Sequence, residues 1–93
     1  MAIRFYIPTA LRAFTGGRSE VEVPAEPGTL RDALAALFAA HPGLADRVLT
    51  EAGTLRPHVN VFVGVDSCRG LGGLDASVPA GVEIAILPAV SGG

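Results

Sequence analysis

Two histidines, one cysteine and nine carboxylates are the side chains from which a reactive site would have to be built. His41 stands before Pro42 at the foreseen end of a helix, where an imidazolium meets the negative end of the helix dipole. That structural role outweighs a ligand role. His58 opens an apolar run on the parity opposite its valines, which suits a surface or partner contact better than catalysis. Cys68 has Arg69 beside it, a neighbour expected to lower the thiol pKa somewhat. Still, no base stands at a recognisable spacing from it. A single cysteine also rules out an intramolecular disulfide and any multi-cysteine metal site. Gly70 and Gly72-Gly73 have the composition of a phosphate loop without its strand-loop-helix context. The carboxylates are spread over strands and loops as solvated charges. No catalytic residue and no metal site is predicted.

What remains is the end of the chain, Ala89-Val90-Ser91-Gly92-Gly93. Nothing in it is large enough to pack, so a flexible tail is expected over 89–93, following a domain of residues 1–88. Five extended residues reach about 17 Å at about 3.4 Å each. Gly92 and Gly93 lack side chains and fit a channel that larger residues would block. The last group is the Gly93 carboxylate, a poor electrophile because it is anionic and its oxygen leaves badly. Adenylation by ATP converts that oxygen into part of a good leaving group, AMP. A sulfur donor can then displace AMP and leave a thiocarboxylate, ionised and nucleophilic at neutral pH. Such a chain is not itself an enzyme: its partners bring the ATP, the magnesium and the sulfur. The competing reading is a frayed, functionless terminus, which most domains possess. A Gly-Gly end alone is weak, and its weight depends on the elements before it.

Ninety-three residues make one domain with a modest core. Hydrophobic residues are 49% and charged residues 17%, a globular composition. A net charge of −2 argues against a nucleic-acid partner, because phosphate binding needs clustered cations. All seven positive residues are arginines, without a run, and the chain has no lysine. A high-GC genome is the simpler cause of that bias. No apolar run is long enough to span a membrane, and the N-terminus lacks a signal-peptide layout. A soluble, cytoplasmic protein is expected.

Residues 3–7 alternate and read as a strand closed by Pro8; residues 19–23 alternate as its hairpin partner, closed by Pro24. Between them, 9–18 reads as a long turn reversed at Gly16-Gly17. Thr29 is a good N-cap, with Asp32 favourable in the first turn. Leu30, Ala33, Leu34, Leu37 and Phe38 follow one helical stripe, backed by alanines. His41-Pro42-Gly43 stops the helix, and 44–49 adds at most a helical turn. Residues 50–57 read as loop. A second strong strand covers 58–65, with Val59, Val61, Val63 and Val65 on one face. Residues 69–73 hold at most a short edge strand. The last strand, 82–87, places Val82, Ile84 and Ile86 on one face before Pro88.

One helix on one face of a mixed four- to five-stranded sheet is an α+β design. The first and last strands are both strongly apolar on one parity, so they are expected side by side in the middle. This is a β-grasp, or ubiquitin-like, order. The face opposite the core carries Tyr6, Phe62, Ala85 and Leu87, an apolar set where no helix is available to cover it. Near the tail, it suits a protein interface. The alternative is that the 9–18 segment covers part of it through Leu11 and Phe14.

The chain resembles the MoaD/ThiS family of sulfur carriers, and within it the carriers of actinobacterial cysteine biosynthesis. The matching pieces are Ile7-Pro8-Thr9 with Leu11-Arg12 and Thr15-Gly16-Gly17; Val59-Asn60-Val61-Phe62-Val63; Gly72-Gly73-Leu74; and residues 86–93. The resemblance implies adenylation at Gly93 by an E1-like enzyme, with Ala89, Val90, Ser91 and Gly92 recognised as the tail. It further implies transfer of sulfur to an acceptor enzyme, such as a pyridoxal-phosphate cysteine synthase or a thiosugar synthase. A metalloprotease would release cysteine in the first case. No family role falls on Cys68.

Three other functions stay open at this level. One is the small subunit of molybdopterin synthase, with its tail inserted in a larger subunit. Another is a protein modifier conjugated through Gly93. The last is a plain interaction domain with an inert tail. The Pro-Thr and Thr-Gly-Gly pieces favour the carrier over the molybdopterin subunit.

Overall fold

The computed structural model describes residues 2–26 and 28–88. The expectations placed on Ala89, Val90, Ser91, Gly92 and Gly93 lie outside the described residues.

Strand β1 (Ala2–Tyr6) runs antiparallel to β2 (Glu20–Pro24), with Ile3 opposite Val23 and Phe5 opposite Val21. Alternation sends those four side chains into the core and leaves Arg4, Glu20 and Glu22 in solvent. The connection is not the open turn expected for 9–18. Thr9–Thr15 winds into a 3₁₀ helix, because Leu11 and Phe14, three residues apart, share one side of it and pack on the core. Gly16, at φ 66°, takes the left-handed conformation that ends it. Inside the turn, the buried Thr15 hydroxyl lies 3.2 Å from the Arg12 carbonyl and 2.9 Å from that of Arg18.

After a short strand β3 (Gly28–Thr29), helix α1 (Leu30–Ala40) begins where its cap was foreseen. The Asp32 N–H donates to the Thr29 hydroxyl oxygen at 3.3 Å, a contact of the kind that stabilises a helix by about 1 kcal/mol. Leu30, Ala33, Leu34 and Leu37 form its buried stripe. His41 is the C-cap and donates its N–H to the Leu37 carbonyl. A 3₁₀ turn (Pro42–Leu44) and a one-turn helix α2 (Ala45–Val48) then seat Leu44 and Val48 in the core.

Strand β4 (Val59–Val63) buries Val59, Val61 and Val63. Val65 does not continue that face. Val63 pairs with Asp66 of β5 (Asp66–Ser67), which leaves Val65 at the hairpin tip, 89% exposed. The edge strand is therefore β5, and the expected position at 69–73 is instead taken up by 3₁₀ turns Cys68–Gly70 and Gly73–Asp75 and the turn between them. A second small sheet joins β3 to β6 (Ser77–Val78). Beside it, the Ala76 carbonyl accepts from the Leu30 N–H, one of the donors a helix start leaves unpaired. Strand β7 (Glu83–Pro88) buries Ile84 and Ile86, while Val82 precedes it, half-buried.

The main sheet has the order β2-β1-β7-β4-β5. β1 and β7 are parallel neighbours, with Phe5 level with Ile84; the other pairs are antiparallel. Phe5, Ile7, Ile84 and Ile86 meet Leu30, Leu34 and Leu37 in one core, the mixed five-stranded β-grasp arrangement with α1 on one face. Among the described residues no helix is long and apolar enough to cross a membrane.

Candidate functional site

β7 is the middle strand, and its last residue, Pro88, stands opposite Val59 of β4. The last described residue therefore sits at the middle of one end of the sheet. On the face away from the core, Ala85 pairs with Tyr6 on one side and Phe62 on the other. Leu87 follows, opposite Asn60. The structure thus brings the four residues of the expected docking face together, each half-buried. One register step toward the far end come Arg4, Glu22 and Glu83, all exposed. The face is charged away from Pro88 and apolar near it.

The 9–15 segment reaches this face through Arg12. Its guanidinium carbon lies 5.9 Å from the Tyr6 ring centroid, and one nitrogen donates to the phenol oxygen at 3.2 Å. Its Nε donates to the Ile7 carbonyl at 3.1 Å, so the ring is held by a cation–π contact and two hydrogen bonds anchor the arginine. Leu11 and Phe14 pack on the core and line a groove beside the face. The groove measures about 850 Å³; Tyr6, Arg47, His58 and Leu87 are also among its lining residues, with Pro88 at its border.

Its walls are held by close packing and by arginine hydrogen bonds. A Cβ on Gly43 would come within 2.6 Å of the Phe14 ring, so that ring can sit where it does only over a glycine. The Arg47 guanidinium carbon lies 5.1 Å from the Phe14 centroid on the groove side. Arg69 donates to the Val59 and Arg56 carbonyls, at 2.8 and 3.4 Å, and Arg56 donates to that of Asp46 at 2.7 Å. These bonds tie the segment carrying His58 to the segment carrying Arg47.

Of the other candidates, His58 is exposed and borders the groove, while His41 stays at the helix cap. Among the described residues no three His, Cys, Asp or Glu side chains cluster to hold a metal ion. At Cys68 only the expected direction of the pKa shift is reversed. The residue is fully buried in the core, and burial raises its pKa above the ordinary thiol value. A backbone hydrogen bond at Val61 and the charge of Arg69 pull the other way and lose. Its stabilising effect is therefore complete below the thiol's unfolded pKa and is lost as pH rises through the folded one. We predict that Cys68 in the folded protein reacts with an aromatic disulfide reagent far more slowly at neutral pH than in denaturant; equal rates would refute its burial.

Arg47 and the groove itself are not legible in the sequence, whereas Leu11 and Phe14 are named there as the residues through which the 9–18 segment reaches the face. Arg47 belongs to the helical turn foreseen for 44–49, but nothing local says that it lies over Phe14. The Leu11/Phe14 spacing was the one available signal.

The ThiS family model matches residues 5–93. Over 95 aligned residues, covering both chains in full, the protein is 35% identical to the sulfur carrier protein CysO of Mycobacterium tuberculosis. It is 42% identical to small archaeal modifier protein 1 of Haloferax volcanii over 65 residues, 70% of each chain. Among solved structures, the crystal structure of the Amycolatopsis orientalis BexX/CysO complex contains a chain that matches with a TM-score of 0.86 and 36% identity. That match covers 98% of this chain and 99% of the other.

Proposed function

The chain belongs to the ThiS family, and on that footing we propose that it is a sulfur carrier whose working group is the Gly93 carboxylate. The observation that carries this reading is the match to a sulfur carrier over the full length of both chains, to which this chain brings its Gly92-Gly93 end. The described geometry supports it: the strand leading to the tail is the central one, paired with β1 over Glu83–Ala85 and with β4 as far as Pro88, which gives the arm a defined origin.

The chemistry runs on partner enzymes. An E1-like enzyme, with ATP and magnesium, lets the Gly93 carboxylate attack the α-phosphorus of ATP and expel pyrophosphate. A sulfur donor then attacks the acyl carbon and expels AMP, leaving the thiocarboxylate. This chain contributes the carboxylate, a tail of Ala89, Val90, Ser91 and Gly92, and the apolar face of Tyr6, Phe62, Ala85 and Leu87. It acts as a co-substrate, with no catalytic side chain of its own. The acceptor fitting the CysO likeness is a pyridoxal-phosphate cysteine synthase, with a metalloprotease to release the product. A thiosugar synthase is the alternative acceptor. The protein works in the cytoplasm, where these partners and their ATP are found.

A second reading, conjugation of Gly93 to lysines of other proteins, is favoured by the likeness to the archaeal modifier. With no lysine in the chain, such a modifier would attach singly and could not build side-chain-linked chains of itself.

Intact mass of the protein from its native cells separates these readings. Under sulfur-replete conditions a species with one oxygen replaced by sulfur is expected. If it never appears although the activating enzyme is present, the carrier reading fails. A ladder of higher-mass adducts instead would support the modifier.

A further inference from the structure

The geometry points to the groove beside Pro88 as a docking site for a segment of the activating enzyme that carries an apolar side chain and a carboxylate. This rests on the carrier reading above and names the chemistry of its partner. Whatever enzyme receives the residues after Pro88 must lie against the surfaces bordering Pro88, and the groove is one of them. Its lining supplies apolar surface from Tyr6, Leu11, Phe14 and Leu87, so a partner side chain entering it is removed from water.

Charge selects the rest of the partner. The chain as a whole carries nine acidic side chains against seven arginines, yet among the described residues no carboxylate lines the groove. Arg47 does line it, and it is exposed. Two other exposed arginines are matched to acids, Arg4 to Glu22 and Arg31 to Asp75. Among the described residues Arg47 forms no ion pair; its guanidinium lies over the Phe14 ring instead. A guanidinium stacked on a ring keeps its N–H edge free, and that edge fits a carboxylate through two parallel hydrogen bonds. Stacking also limits the orientations the side chain must lose on binding, as does the Gly43 seat beneath Phe14. The resulting site is an apolar slot with one oriented cation, in a protein whose net charge is negative.

Two other occupants are conceivable, and the test separates them: the chain's own residues 89–93, which also end in a carboxylate, and a second copy of the protein. The experiment is ATP–pyrophosphate exchange by the cognate activating enzyme, with the full-length carrier as the varied substrate. Arg47→Gln is expected to raise the carrier's KM about tenfold or more while kcat is kept. Arg47→Lys should recover part of the loss, since it keeps the charge and loses the fork. An amide NMR spectrum matching the parent away from residue 47 shows that each variant is folded. An unchanged KM overturns this proposal alone. A KM that falls means the chain's own tail had occupied the groove, and also overturns it. Concentration-dependent dimerisation abolished by Arg47→Gln would assign the groove to a second copy. No exchange with the parent protein overturns the carrier reading and this proposal together.

Discussion

Removing Gly92 and Gly93 is expected to leave the fold intact and to abolish every reaction at the C-terminus. Among the described residues the buried core runs from Ile3 to Ile86, and Gly92 and Gly93 have no side chains to add to it. Substitutions or truncations away from such packing usually change stability by less than about 0.5 kcal/mol. The urea midpoint of the shortened chain should therefore match that of the parent. Chemically the loss is total. The new terminal carboxylate belongs to Ser91, which bears a side chain and falls short by two residues, about 7 Å of extended reach. Pyrophosphate release with the activating enzyme and the intact mass of the product are the measurements. Adenylation of the shortened chain at anything near the parent's rate would show that the Gly-Gly end is not what the enzyme recognises.

Phe5→Ala is expected to be the most damaging single change in the core. Phe5 is fully buried on β1, level with Ile84 of β7 and opposite Val21 of β2. It thus sits in the layer where the first, second and last strands meet. Replacing a buried phenylalanine by alanine typically costs about 3–5 kcal/mol, the lost transfer energy plus the cavity left behind. Small domains hold only about 5–15 kcal/mol in total. Most of the stability margin would go, and β7 would lose packing against one of its two neighbours. Urea denaturation followed by circular dichroism measures the cost. A loss below about 1 kcal/mol would mean that the layer collapses around the gap and is not close-packed. The two variants divide the molecule: one removes the chemistry and keeps the scaffold, the other loosens the scaffold and leaves the chemical group in place.

The elements with strong periodicity were legible because local order and burial agree in them. The alternation around Phe5, Val21, Val61 and Ile84 has one face to bury, and the stripe Leu30-Ala33-Leu34-Leu37 has one helical side. The misses have physical causes. Two-residue strands such as β3 and β6 are too short to carry a period, so only their pairing across the fold reveals them. The 3₁₀ helix at Thr9–Thr15 is set by Leu11 and Phe14 finding the core, which no turn rule anticipates. Val65 has the right parity for β4 and the wrong position, because hairpin pairing with Asp66 ends the strand before it.

Cys68 makes the same point about chemistry. In sequence its nearest influence is Arg69, which favours the thiolate. In the fold, burial outweighs that charge and the thiol pKa rises in a core position. The groove follows the same logic, since Arg47, Phe14 and His58 lie on separate segments that only packing brings together. By itself the sequence determined the β-grasp order, the apolar face and the Gly-Gly end, because each depends on residue type and short-range spacing. Only the tertiary structure decided that Tyr6, Ala85 and Phe62 form one row, that burial raises the Cys68 pKa, and that a cationic slot opens beside Pro88. Those depend on strand register and on desolvation, quantities that belong to residues distant in the chain and exist only once the core has closed.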